Sequence, residues 1–183
     1  MSKKRKRSFR PRYLDDFKLN EAGSAYEYHG SYMRCSLPEE SFRREAAKPA
    51  VCAAVSFVLL ILAGCMPKTG MEERPLILLP YALALIASAV CVYRSLKIVR
   101  SGGALRTYEY KKTVPYLIGW STAGAVLCIL ALAGIFMALL LKMFAGSFLP
   151  SVFLAAVFCL SGISLGILSQ KVRRMDWKEE NNA

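Results

Sequence analysis

Only one histidine, His29, stands in the 183 residues, and acidic residues are scarce: 13 Asp and Glu against 25 Lys and Arg. A lone histidine leaves no set of imidazoles for a His-based metal cluster. None of the six cysteines has a partner at C-x-x-C spacing, which removes the common zinc and redox motifs. Cys52, Cys65, Cys91, Cys128 and Cys159 lie in or beside apolar runs, where a free cysteine packs as a small hydrophobe, and Cys35 alone lies in a polar segment. Charge is missing altogether from four stretches, residues 49–67, 75–93, 113–141 and 143–170. Ionisable groups inside a membrane usually mark ion or proton paths, so their absence from these runs argues against a proton-coupled antiporter. No catalytic constellation and no metal or cofactor site emerges from the residue pattern, and an enzyme is not expected.

What is abundant is apolar surface, 55% of the chain, segregated into those four runs. Each reaches the ~20 residues that carry a helix across a bilayer. The fold class expected is therefore all-α: four transmembrane helices, spanning about 49–67, 75–93, 115–141 and 148–169. The domain at 49–170 is preceded by a basic tail at 1–12 and a polar segment at 13–48, and followed by a tail at 171–183.

Charge orders the spans. Twelve Lys and Arg precede the first span, six lie in the connection at 94–112 and four in the C-terminal tail. The other two connections hold three between them. Basic residues are retained on the cytoplasmic side. The expectation is a multi-pass protein of a cytoplasmic membrane, bacterial in kind, with both termini inside and two short outer connections.

The stretch Leu62-Ala63-Gly64-Cys65 has the letters of a lipoprotein attachment site. A lipoprotein signal places its apolar core within the first ~15–30 residues. Here that core starts at Pro49 and three further spans follow, so Cys65 reads as an ordinary cysteine at the outer end of the first span.

Helix packing has its own signature. In the fourth span Ser151, Ala155, Cys159, Gly162, Gly166 and Ser169 recur at gaps of four and three, with a G-x-x-x-G at 162–166. Small-residue stripes let helix backbones approach closely in lipid. Gly124, Cys128, Ala131 and Ala138 of the third span offer a matching surface, so packing inside the chain is expected ahead of a homo-oligomer or a docked membrane-protein partner. Pro80 lies one turn into the second span, where a kink is expected, and Tyr81, Tyr93, Tyr116 and Trp120 lie where interfacial aromatic belts form.

The polar segments give further expectations. Residues 1–12 carry seven basic residues and no acid. Lys3, Lys4, Arg5, Lys6 and Arg7, with Arg94, Lys97 and Arg100 at the end of the second span, are expected to contact anionic lipid at the cytoplasmic face. A nucleic-acid partner is not expected. Residues 25–35, AYEYHGSYMRC, suggest a short β-hairpin about His29-Gly30, with Tyr28 opposite Ser31. Ser36-Leu37-Pro38-Glu39 fits a capping box for a surface helix supported by Glu39–Arg43 and Glu40–Arg44 pairs, turning near Pro49 into the first span. Gly102-Gly103 supplies a helix stop, and residues 104–114 read as a short amphipathic link.

Uncharged spans and basic mass on one face favour a non-enzymatic accessory or scaffold subunit that acts at the cytoplasmic face. The alternative is a small homo-oligomeric transporter or channel.

Overall fold

The computed structural model describes residues 17–19, 26–28, 30–66, 74–141 and 148–180. The basic tail with Lys3 to Arg7, the His29 turn position and Lys142 lie outside them. In chain order the elements are β1 (Phe17–Leu19), β2 (Tyr26–Tyr28), β3 (Tyr32–Cys35), α1 (Glu39–Cys65), α2 (Pro75–Arg100), β4 (Ala104–Arg106), α3 (Thr107–Leu140), α4 (Phe148–Arg173) and β5 (Trp177–Glu180). All four helices are long and apolar enough to cross a membrane by length and composition. They pack in a ring, each against two neighbours, in the order α1, α2, α3, α4 and back to α1.

The buried positions explain the ring. On α1 they are Phe42, Ala46, Pro49, Ala53, Ser56, Leu60 and Ala63, at gaps of four and three throughout. On α3, Val114, Leu117, Ser121, Gly124, Cys128, Ala131, Ile135 and Ala138 alternate in the same way. The seam of α4 is Ser151, Leu154, Phe158, Ser161, Leu165, Leu168 and Val172, and that of α2 is Ile77, Ala84, Ser88, Cys91, Ser95 and Ile98 with half-buried Tyr81 filling the longest gap. A sustained seven-residue repeat winds helices into a left-handed bundle with a crossing angle near ~20°. Apolar residues outside the seams, among them Val51, Leu76, Ile86, Ile129, Phe136 and Ile163, are exposed on the flanks, as lipid-facing residues would be.

Contacts fix the register between the helices. The Tyr81 hydroxyl donates to the Leu60 carbonyl at 3.2 Å, and its ring stands edge-on to Phe158 with centroids 6.1 Å apart. A methyl at Gly124 would lie 2.9 Å from Leu165 Cδ1 and 3.3 Å from Ala87 Cβ, and one at Gly162 would lie 3.3 Å from Cys128 Cβ. Stepping one repeat from Leu60, Tyr81 and Phe158 places Ser56, Ala84, Cys128 and Ser161 in one layer, and the next holds Ala53, Ser88, Gly124 and Leu165. Apart from Leu165, which fills the space beside Gly124, these two layers are built from small side chains.

Four local expectations give way to a different arrangement. The 25–35 hairpin does not form: β2 pairs with β1, Tyr28 facing Phe17, while β3 becomes the central strand of a second sheet. A central strand satisfies its backbone groups on both edges, whereas a lone two-stranded hairpin is marginal in water. The capping box is also absent, since the N-cap residue is Pro38 without a side-chain hydrogen bond and Ser36 is drawn instead to the carbonyl of Asp176. No separate surface helix precedes the first span. α1 runs unbroken through Pro49, because the buried series continues on both sides of it; the ~3 kcal/mol that an interior proline costs is offset by packing. The link at 104–114 divides into strand β4 and the opening turns of α3. By contrast α2 ends at Arg100, followed by Gly102 and Gly103 with φ of 62° and 93°, as the sequence predicts.

Candidate functional site

The basic end of the bundle is closed by the sheet β4-β3-β5, antiparallel throughout. Its strands come from the N-terminal segment, the connection between α2 and α3, and the C-terminal tail. Met33 faces Leu105 on one side and Glu179 on the other. Two backbone bonds extend the ladders, Cys35 N–H to the Gly103 carbonyl at 2.9 Å and Ser36 N–H to the Asp176 carbonyl at 3.1 Å. At the other end of β3 the Thr107 amide donates to the Ser31 carbonyl at 3.1 Å, and the Ser31 hydroxyl reaches both Thr107 Oγ1 (2.8 Å) and Glu179 (2.5 Å).

Beneath the sheet is an aromatic plug. Trp177 meets Phe42 edge-on at 6.0 Å and Tyr110 at 5.5 Å, over buried Cys35 and Leu105. Gly103 is favoured here by its positive φ, and it lies against the Phe42 ring. Beside the plug, Tyr28 hydrogen-bonds the Ser31 carbonyl, stands edge-on to Tyr32 at 5.3 Å and carries the Arg106 guanidinium 5.1 Å over its ring. The hydroxyls of Tyr108 and then Tyr32 hold the Arg106 pKa above its ordinary value. The outer surface is charged, with an Arg34–Glu180 ion pair at 3.1 Å and Lys178 3.9 Å from Asp176.

The basic residues of α2 are not equivalent. Lys97 is paired with Glu109 at 3.0 Å, and Arg100 is exposed at the last helical position. Arg94 donates from Nη1 to the Lys112 carbonyl and lies 5.1 Å over the Tyr116 ring. Its Nε is buried and has no hydrogen-bond partner.

The fourth-span stripe divides between two surroundings. Gly162 faces α3 at Cys128 and at the Ala125 carbonyl, and buried Ser169 hydrogen-bonds Thr122 at 3.2 Å. Ser151 is buried and Ala155 half-buried, but Cys159 is exposed and Gly166 has open space around it. The seam that fills the bundle lies one residue earlier, on Leu154, Phe158, Leu165 and Leu168. Tyr93, Tyr116 and Trp120 are exposed on the flanks, while Tyr81 turns inward.

Inside the bundle, the hydroxyls of Ser88 and Ser121 donate to carbonyls of their own helices. Those of Ser56, Ser95 and Ser161 are buried without a partner. Among the described residues no three His, Cys, Asp or Glu side chains gather as a metal site. Of the cap's three strands only β3 lies in a segment the sequence reads as strand, and its pairing with β4 and β5 carries no sequence signal. No family model, curated protein or solved structure matches this chain.

Proposed function

We propose that this is a non-enzymatic accessory or scaffold subunit of a cytoplasmic membrane, oriented with both termini inside, whose working surface is the sheet-capped basic end. The observation that carries the reading is the joining of three distant chain segments into one sheet, β4-β3-β5. Such a cap turns the end of the bundle into a rigid platform with exposed Arg34, Lys178 and Glu180. The excess of Lys and Arg on that side supports the orientation, and the aromatic plug below supplies the rigidity that a docking surface needs.

The test is native mass spectrometry of the tagged full chain, extracted in mild detergent and dissociated into subunits. A different membrane subunit at fixed stoichiometry, lost when Arg34 and Lys178 are both changed to Glu, is the expected result. Turnover or transport by the chain alone in liposomes would contradict it.

A second reading, a small homo-oligomeric transporter, draws on the unpartnered hydroxyls of Ser56 and Ser161 in one layer of the interior. Solute flux in liposomes that disappears in Ser56→Val would favour it.

A further inference from the structure

We propose that the lipid-facing flank of α3 holds one anionic phospholipid, with its phosphate at Arg94 and an acyl chain along Gly119 and Ala123. The inference needs the helices to lie in a bilayer, but it is independent of the accessory reading and of which aqueous side the basic end faces.

The groove follows from residue size. Pro115, Gly119 and Ala123 succeed one another at i, i+4 and i+8, so one line along α3 has almost no side chain standing out from it. Beyond its own stretch of helix, nothing lies within 4 Å of the place a Gly119 side chain would occupy. Tyr116 and Trp120 stand exposed beside that line, and together these five residues line a shallow open groove of about 420 Å³. A second hollow of about 600 Å³ shares Gly119 and Ala123, and is bounded by Ile118, Thr122, Val126, Leu127 and Arg173 of α4.

Charge selects the occupant. Arg94 lies over the ring of Tyr116, which lines the first groove, and Arg173 bounds the second. Stacking on Tyr116 and the bond from Nη1 to the Lys112 carbonyl hold the half-buried Arg94 guanidinium in place. Guanidinium donors match phosphate oxygens in geometry and charge. Tyrosine and tryptophan of the kind found here sit at headgroup depth in membrane proteins. An apolar trough that ends in a fixed cation is the complement of a lipid with an anionic head.

A second copy of the chain fits worse. Two copies in one membrane share their orientation, so a two-fold contact through Gly119 would set Arg94 and Arg173 of each against the same residues of the other. Like charges at a poorly solvated interface repel.

The experiment uses the full chain in nanodiscs of phosphatidylcholine containing phosphatidylglycerol. Lipid retained after gentle release is counted by native mass spectrometry. The expected result is one phosphatidylglycerol held in preference to phosphatidylcholine by at least tenfold. That preference falls to near unity in Arg94→Gln and stays within twofold in Arg100→Gln, while Gly119→Leu loses retention of both lipids. A second measurement needs no variant: of the two tryptophans, Trp120 lines the groove and Trp177 lies in the cap, so phosphatidylglycerol with brominated chains quenches fluorescence more than brominated phosphatidylcholine at equal content. Equal retention of both lipids by the wild type, an unchanged preference in Arg94→Gln, equal quenching by the two brominated lipids, or a dimer abolished by Gly119→Leu would each overturn the site.

Discussion

The Tyr81 hydroxyl reaches the Leu60 carbonyl of the neighbouring helix at 3.2 Å, beside Gly64, where a side chain would crowd the Tyr81 hydroxyl oxygen. One contact therefore explains both an inward-turned tyrosine and the fit of a glycine beside it. It also ties α1 to α2 near the end of the bundle away from the cap, where the ring of Phe158 completes the layer.

Gly64→Ala is expected to destabilise the bundle by ~1–3 kcal/mol through overpacking. With the hydroxyl removed in Tyr81→Phe, the nearest ring atom is 3.2 Å away, so the double variant regains part of the loss. Melting of the single and double variants in mild detergent checks this, and strictly additive losses would contradict it.

The two fourth-helix surfaces separate by substitution. Gly166 has open space, so Gly166→Ala is expected to be neutral or to stabilise by up to ~1 kcal/mol through helix propensity. A side chain at Gly124 of α3 would crowd Leu165 of the fourth-helix seam and Ala87, and Gly124→Val is expected to cost ~1–3 kcal/mol by overpacking. Thermal melting of both variants decides where the bundle seam lies; a larger loss at Gly166 would place it on the small-residue stripe.

Ser161 carries a buried hydroxyl with no partner. An unsatisfied buried donor costs ~1–3 kcal/mol, so Ser161→Ala is expected to leave stability unchanged or raise it. A clear loss of melting temperature would mean that the hydroxyl is engaged in the membrane, and would strengthen the transporter reading.

Trp177 joins the C-terminal strand to Phe42 and Tyr110. Its truncation to Ala is expected to cost up to ~3–5 kcal/mol locally, the range for a large aromatic, and to free β5. Trypsin cleavage after Arg173 and Arg174 should then accelerate while the helices stay folded by circular dichroism. Unchanged cleavage would mean that the plug does not hold the strand.

The sequence made the spans legible because charge is absent from them and from almost nothing else. The stop at Gly102-Gly103 was equally clear, since only glycine adopts both positive φ values readily. The fourth-helix seam was read one residue late: glycine and serine spacing drew attention to Gly162 and Gly166, while Leu154, Phe158, Leu165 and Leu168 fill the space between helices. The cap was legible only at β3. Its partners lie about 70 and 145 residues further along the chain, and strands of three or four residues carry too little alternation to reveal pairing. Arg94 was singled out from the sequence together with Lys97 and Arg100. That it stacks on Tyr116 beside a groove, while Lys97 is neutralised by Glu109, depends on how α2 meets α3.

In the proposed orientation the capped, basic end of the four-helix bundle faces the cytoplasm. Cys65 is exposed at the last position of α1, at the opposite end, whereas Cys35 is buried beneath the cap. The direct measurement is labelling of intact cells with a membrane-impermeant maleimide, using a full-length variant in which Cys65 is the sole cysteine, followed by intact mass. The prediction is a full-length chain labelled from outside without permeabilisation. Labelling that appears only after the membrane is opened would reverse the orientation, and a chain that begins at a lipid-modified Cys65 would remove α1, the wall shared by α2 and α4, and with it the bundle described above.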